Sequence, residues 1–347
     1  MNPERSTLNR PLVDFVVCTW NNRDVIALTL ECIAKQSIRD FTCTLVDGGS
    51  TDGTLDVVHN EFPWVRVVVK KENSGPAVSR NLGLAQGAAE YVVFVDSDVR
   101  LDPQWAEEQI KFLDAHPRVA ILCGKLVYAH EPTRVFSTYG AMNHYGVAWD
   151  GGRGQTADQF NEPIRCLFAN TSALIVRRKA AEDIGGFDSV LFAGYEDADF
   201  GWRANLFGYE VAFNPLAVAF HDAHGTFDPK VMKRELIYLV WRHRLRSVLV
   251  NYELSSLLRY TSVYLILALL DGLVYGPRKE KLGALWWNAR NLGKNLKRRQ
   301  WVQSRRKVKD QTLWGMFESG YRGPGYDSGG KHPRNGKSRV LTLGGAT

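Results

Sequence analysis

GPAVSRNLGLAQGAAEYVVFVDSD, residues Gly75 to Asp98, carries a helix signal and a strand signal in close succession. The turn Asn73-Ser74-Gly75 hands over to Pro76, and proline suits the first position of a helix because its fixed φ is already helical. Tyr91 to Val95 is short, apolar and rich in β-branched residues, as a strand buried on both faces would be. It runs straight into Asp96-Ser97-Asp98. Upstream, Leu12 to Cys18, Phe41 to Val46 and Val65 to Val69 read the same way. Between the first two, Ile26, Leu30 and Ile33 recur at i, i+4 and i+7, one face of a helix. Strand alternating with helix predicts an α/β fold with a doubly wound, mostly parallel sheet. Ligands of such sheets bind at the carboxyl ends of the strands, near the point where strand order reverses.

Downstream, shorter strands are expected at Ala120 to Cys123, Ala173 to Val176 and Glu210 to Phe213. The segment Gly151-Gly152-Arg153-Gly154 reads either as a mobile lid or as a surface crossing. After Asp228 long helical patterns take over, and beyond Asp310 glycine and basic residues replace core formers, so disorder is expected there. The expected organisation is a tail at 1–10, a catalytic domain at 11–228, a helical region at 229–310 and a disordered tail at 311–347.

Composition sets the outer limits. With 347 residues, 45% hydrophobic and 23% charged, the chain is that of an ordinary globular protein. Five cysteines, an odd number with no C-x-x-C pair, read as buried thiols of a reducing compartment. MNPERSTLNRP has no apolar stretch of the kind a secretory signal needs, so the expectation is a cytoplasmic protein. Charge is uneven: from Pro277 onward there are 17 Lys/Arg against 4 Asp/Glu, and before it 27 against 33. A basic end on an acidic body points to a polyanionic surface, nucleic acid or an anionic membrane. A nucleic-acid binder would spread basic residues over its folded body, and this body is net acidic.

Three apolar strands end in polar residues: Thr19-Trp20-Asn21, Asp47-Gly48-Gly49-Ser50-Thr51-Asp52-Gly53 and Asp96-Ser97-Asp98. Each alone also suits a turn or a helix N-cap. Their shared place at strand ends makes them a site, and paired carboxylates are hard oxygen donors suited to Mg²⁺ or Mn²⁺. A dinucleotide-dependent oxidoreductase would need G-x-G-x-x-G after the first strand, where Cys18-Thr19-Trp20-Asn21-Asn22-Arg23 stands instead.

With VVCTWNN, VDGGSTDGT, SRN ahead of VVFVDSDV, and GGFDSVLFAGYEDADFGWRANLFGYEV followed by AFH, the segment from Pro11 to His224 resembles a family-2 glycosyltransferase of the GT-A fold. The resemblance implies an inverting enzyme with a nucleoside-diphosphate-sugar donor of the UDP or dTDP type and a divalent metal. It implies that Thr19 and Asp47 hold the base, Asp96 lies near the ribose, Arg80 and Asn81 lie beside the nucleotide, and Asp98 binds the metal. Asn21, Ser50 and Ser97 belong to the same donor-binding set. Relatives often carry an acidic residue or Asn where this chain has Gly48, which leaves base identity open. Asp197 would be the general base and Glu196 an orienting carboxylate; helix capping is the competing reading of that acidic pair. His221 would be a further metal ligand, with His224 and His144 weaker candidates. A catalytically inactive relative is the alternative that intact Asp96, Asp98 and Asp197 argue against. The Q-x-x-R-W motif of processive synthases is missing from the sequence, so transfer of a single sugar is expected.

From Tyr260 to Pro277 the sequence is apolar apart from Asp271, too marginal for a span and suited to a core helix or an interfacial hairpin. Leu282, Leu285, Ala289, Leu292 and Leu296 then form a stripe among Lys and Arg, the pattern of a basic amphipathic helix on an anionic membrane or packed on the body. A peripheral enzyme on the inner face of the cell membrane, acting on a saccharide or polyprenyl-linked saccharide, fits both.

Overall fold

The computed structural model describes residues 10–222, 234–274 and 276–319. Its first half alternates as β1 (Val13–Thr19), α1 (Arg23–Ala34), β2 (Phe41–Asp47), α2 (Thr54–Glu61), β3 (Arg66–Val69), α3 (Pro76–Leu84) and β4 (Tyr91–Asp96). Then follow β5 (Val99–Leu101), α4 (Trp105–Ala115), β6 (Val119–Tyr128), β7 (Glu131–Ser137), β8 (Gly140–Asn143), β9 (Ala148–Asp150) and β10 (Ile164–Cys166). The mixed α/β part closes with β11 (Ala173–Arg177), α5 (Arg178–Ile184), α6 (Glu196–Leu206) and β12 (Glu210–His221). Beyond it lie α7 (Arg234–Asn251), α8 (Leu254–Ser256), α9 (Ser262–Val274), α10 (Arg278–Arg290), α11 (Leu292–Arg305), α12 (Asp310–Leu313) and β13 (Phe317–Glu318).

The main sheet runs β10-β12-β6-β11-β4-β1-β2-β3. β3, β2, β1 and β4 are parallel, and β11 enters antiparallel between β4 and β6. Strand order reverses at β1, so the crevice expected for a ligand opens beyond Thr19 and Asp96. Val13, Phe15 and Val17 of β1 pack with Ile26, Leu30 and Ile33 of α1 on one face, while Val16 packs with Ala77 and Leu84 of α3 on the other. Each such fully buried side chain contributes about 1.5–3 kcal/mol. β3 departs from the expectation of two buried faces. It is the edge strand, and Val69 is 56% exposed.

The boundary expected near residue 228 does not separate two cores. Val248, Val250 and Tyr252 at the end of α7, Val302 of α11, Leu313 of α12 and Phe317 of β13 join the cluster that covers one face of the main sheet. The disorder expected from residue 311 is corrected through residue 318: β13 pairs in parallel with β8 and completes a small sheet ordered β13-β8-β9. Aromatic burial outweighs the Gly-rich composition here, since Trp314 and Phe317 pack edge to face on one another and the Tyr252 and Tyr260 rings lie against Trp314.

Candidate active site

The ends of β1, β2 and β4 meet in one lattice of short polar side chains. Asp47 is fully buried and turns its carboxylate back on its own loop: Oδ2 accepts the N–H groups of Gly49 (2.8 Å) and Ser50 (2.9 Å), and Oδ1 accepts the Ser50 hydroxyl. Ser50 Oγ accepts the Asn21 N–H at 2.8 Å, and Asn21 Oδ1 accepts the Thr51 N–H at 2.8 Å. Asn21 sits at φ 53°, a left-handed conformation that Asn tolerates better than most residues. Asn22 Nδ2 reaches Ser97 Oγ at 2.8 Å, which ties in the third loop. Asp52 and Thr54 accept the N–H groups of Arg23 and Asn22. Asn22, Asp52 and Thr54 were not among the expected site residues, yet they do as much as Asn21 to shape the loops. Thr19 Oγ1, by contrast, is buried with no hydrogen-bond partner. A Cβ at Gly48 would lie 3.1 Å from Trp20 Cβ, so a side chain there would press on the half-exposed indole.

Arg80 joins the end of β4 to the start of α6. Its guanidinium is buried and bridges Asp96 Oδ1 (2.9 Å) and Glu196 Oε1 (3.0 Å). Burial alone would lower its pKa, but the Asp96 and Glu196 carboxylates outweigh that and hold it above its ordinary value. Glu196 Oε2 is buried without a partner, an acceptor left over for a ligand hydroxyl. Asn81 has no such capacity. Its amide clamps the backbone of Phe187 from both ends, Nδ2 to O at 2.8 Å and Oδ1 from N–H at 2.9 Å. Gly75 ahead of α3 (φ 86°) runs against the next loop, where a Cβ would meet Phe192 O at 2.1 Å.

Asp98 and His221 come together although 123 positions separate them. β5 pairs antiparallel with the end of β12, matching Val99 to His221, and leaves Asp98 Oδ2 3.7 Å from His221 Nδ1. Carboxylate plus imidazole is a donor pair that suits Mn²⁺ better than Mg²⁺. Among the described residues no three His, Cys, Asp or Glu side chains converge as a metal cage, so phosphate oxygens and water would have to complete a six-coordinate shell. His144 stacks on Tyr260 and Phe317 and belongs to the aromatic cluster, as a structural histidine would. His224 lies outside the described residues.

Asp197 begins α6, after Tyr195 at a left-handed φ of 81° whose hydroxyl donates to Gly146 O at 2.6 Å. Burial, then the charges of Glu196 and Asp150, push the Asp197 carboxyl well above the usual carboxylate range. Asp199, the third acid of this segment, is structural: Arg203 and Asn251 of α7 donate to its two oxygens.

Two further groups escaped the sequence reading. Asp150 accepts from Ser137 Oγ and Asn170 Nδ2, both at 2.8 Å, and pairs with Arg153. Phe136 lies 4.1 Å from both the His221 ring and Arg153 Cζ, so the Gly-rich segment borders the candidate metal ligands. That segment is a pinned crossing: Gly151 N–H bonds Tyr139 O, and Gly154 N–H bonds Val135 O. The second group is on α7, where Arg242 donates to Val190 O, His243 Nδ1 lies 2.8 Å from Gly194 O and Arg246 pairs twice with Asp188. Burial lowers the His243 pKa to about 4, so it is a neutral prop for the loop that carries Asp197.

Residues 14–185 match the family model described as Glycosyl transferase family 2. The chain belongs to glycosyl transferase family 2. The family match ends ahead of Glu196 and Asp197. Over 191 residues the chain is 29% identical to a pre-mycofactocin glycosyltransferase of Mycobacterium tuberculosis, covering 54% of this chain and 38% of that protein. Over 107 residues it is 36% identical to a putative teichuronic acid biosynthesis glycosyltransferase of Bacillus subtilis, covering 30% and 42%. The family-2 chain thus aligns with only about two fifths of the length of these relatives. Its fold is GT-A. It resembles the mannosyltransferase from Pyrobaculum calidifontis solved with GDP-Man and Mn²⁺, with a TM-score of 0.51 at 19% identity over 85% of this chain and 84% of that one.

Proposed function

We propose that this glycosyltransferase moves a single hexose or deoxyhexose, with inversion, from a UDP- or dTDP-type sugar to a hydroxyl of a saccharide or polyprenyl-linked saccharide. In this reading it works in cell-wall or surface polysaccharide synthesis, in the cytoplasm at the anionic inner face of the membrane. One observation carries the reading: Arg80 links Asp96 at the end of β4 to Glu196 at the start of α6, holding the donor loops and the base in one cleft.

Asp197 takes the proton of the acceptor hydroxyl as that oxygen bonds to the anomeric carbon. The bond from that carbon to the diphosphate breaks on the opposite face, and its electron pair leaves with the phosphate oxygen. A basic carboxylate suits this step, and its burial beside Glu196 and Asp150 supplies the basicity. Glu196 Oε2 orients the acceptor or the donor sugar. Thr19 Oγ1 and Asp96 face the nucleotide, while Asn21, Asp47, Ser50, Ser97 and Asn81 act by shaping the loops around it. A divalent ion, Mn²⁺ by preference over Mg²⁺, would be held by Asp98 and His221 and would offset charge on the departing diphosphate.

A donor screen reading nucleoside diphosphate release, with and without a lipid-linked acceptor, tests the class. Asp197→Asn is expected to cost about 10²–10⁴ in kcat with donor affinity unchanged. Wild-type turnover in that variant would overturn the base assignment. Chelation should stop turnover, and Mn²⁺ should restore it more fully than Mg²⁺; turnover indifferent to chelator removes the metal from the reading.

A further inference from the structure

Leu254 to Val274 forms one continuous helical run of 21 residues, α8 and α9 joined by a π-helical turn at Leu257–Thr261. By length and composition it could cross a membrane. Its packing gives it another orientation. One face is seated on the protein: Tyr264, Ala268 and Gly272 are buried, and its acid, Asp271, pairs with Lys281 of α10. The opposite face carries nine exposed large apolar side chains, among them Leu258 (66%), Ile266 (61%), Leu270 (51%) and Val274 (59%). Large apolar patches of this kind mark interaction surfaces.

α10 and α11 extend that surface in an unexpected way. The stripe in their sequence could have packed inward, but their buried positions are Lys281, Ala284, Asn288, Asn295 and Val302. Asn288 Nδ2 donates to Arg242 O, and Asn295 links Asn288 to Arg246. Polar Lys281, Asn288 and Asn295 thus share the inward face with Ala284, Val302 and partly buried Leu285. Trp286 (68% exposed), Leu292 and Leu296 are left outside, beside exposed Arg290, Lys294 and Lys297. Exposed Arg259 lies in the π-helical turn, and exposed Arg278 and Lys279 follow the far end of the apolar helix.

The charge selects the occupant. Residues 254–305 hold ten Lys/Arg against two Asp/Glu. A second copy would bring the same basic rim against itself, and residues 320–347 of this chain, five Lys/Arg against one Asp, are also basic. Anionic lipid headgroups complement the rim while acyl chains accept the leucines.

We propose that the outer face of Leu254–Val274, bordered by Trp286, Leu292 and Leu296, lies in the plane of an anionic bilayer. This deepens the membrane clause of the proposed function by naming the surface, and it rests on that reading only for the acceptor. α7 joins the surface to the cleft. On one side Arg244 Cζ stacks 4.3 Å from the Tyr264 ring of α9. On the other, Arg242, His243 and Arg246 hold residues 188–194, just ahead of Asp197. The bilayer plane and the base are therefore parts of one body, which sets the height above the headgroups at which a lipid-linked hydroxyl is met.

Flotation of the full-length chain with phosphatidylcholine vesicles, and with vesicles containing phosphatidylglycerol, tests the surface. Wild type should float with the anionic vesicles alone, and added salt should weaken binding. Ile266→Asp with Leu270→Asp should weaken it at least about tenfold, since a charge at a lipid-facing position opposes insertion, while thermal melting and donor turnover in solution stay as in wild type. Lys294→Glu with Lys297→Glu should weaken binding without altering the melt. Wild type that never floats, or an Ile266→Asp/Leu270→Asp chain that floats unchanged, overturns the proposal, as does a dimer in solution that the same pair of substitutions dissolves. A chain that floats as expected but turns over no donor overturns the transferase reading and leaves the docking surface standing.

Discussion

The donor side of the cleft and the base side are held by different kinds of side chain. Around Asp47 the ties are short: Asn, Ser, Thr and Asp hydroxyls and carbonyls accept loop N–H groups within one layer of strand ends. Around Asp197 they are long: Arg and His side chains of α7 cross from a different layer to the carbonyls and carboxylate of 188–194. Short ties fix a backbone shape for a rigid, common ligand portion. Long charged ties fix the position of one element against another, as the proposed base would require to meet an acceptor.

Removing one strand of each lattice tests the contrast, and the base side should show the larger effect. Arg246→Met leaves Asp188 buried with Arg298 at 3.8 Å as its remaining cation, and loss of one partner from a buried pair costs about 3–5 kcal/mol. The expected result is a markedly lower Tm with donor affinity per folded molecule unchanged; an unshifted melt would mean that α7 does not brace this loop. Asn21→Ala loses the bond to Thr51 and places a Cβ without Asn's local compensation at left-handed φ, about 1–2 kcal/mol together. That should appear as roughly tenfold weaker donor binding with little change in Tm. Equal losses in both measurements would erase the distinction between the two sides.

The smallest effect is in pH. As the proposed base, Asp197 would work only when deprotonated, and its carboxyl is held above the usual range by burial and then by Glu196 and Asp150. Activity should therefore rise with pH through a limb above that range. Asp150→Asn removes a negative neighbour, which favours ionised Asp197, so the limb should move to lower pH. Movement to higher pH, or none, would show that Asp150 does not act on the base.

What could be read from the sequence follows the same division. The parallel strands and the turns after them announce themselves because short apolar, β-branched runs give way to polar turn residues, and Thr19, Asp47 and Asp96 stand at those ends. Asp98 and His221 were brought together in the sequence by the family resemblance alone, since the β5–β12 pairing that joins them has no periodic signal. Asp47 and Asn81 sit where a ligand contact was expected, yet their hydrogen bonds turn into the protein; burial of a side chain cannot be read from its position in a motif. The brace from α7 was hidden because Arg242, His243 and Arg246 look like the polar face of any surface helix. Asn288 and Asn295 hid the reverse fact, that polar side chains of α10 and α11 face the body while Leu292 and Leu296 stay outside.

Strand β13 has a consequence for how the molecule is made. Phe317 and Glu318 pair with Met142 and Asn143, and the Phe317 ring packs against Trp202 and Tyr252. A sheet begun at β8 is thus finished by residues synthesised some 175 positions later. Until the ribosome has released that stretch, the nascent chain exposes the aromatic pocket and lacks an edge partner for β8, the kind of late-closing contact that slows folding and invites aggregation. A ribosome stalled in α11 would hold a chain whose strand-end loops are already encoded while β8 and the aromatic pocket still lack Phe317.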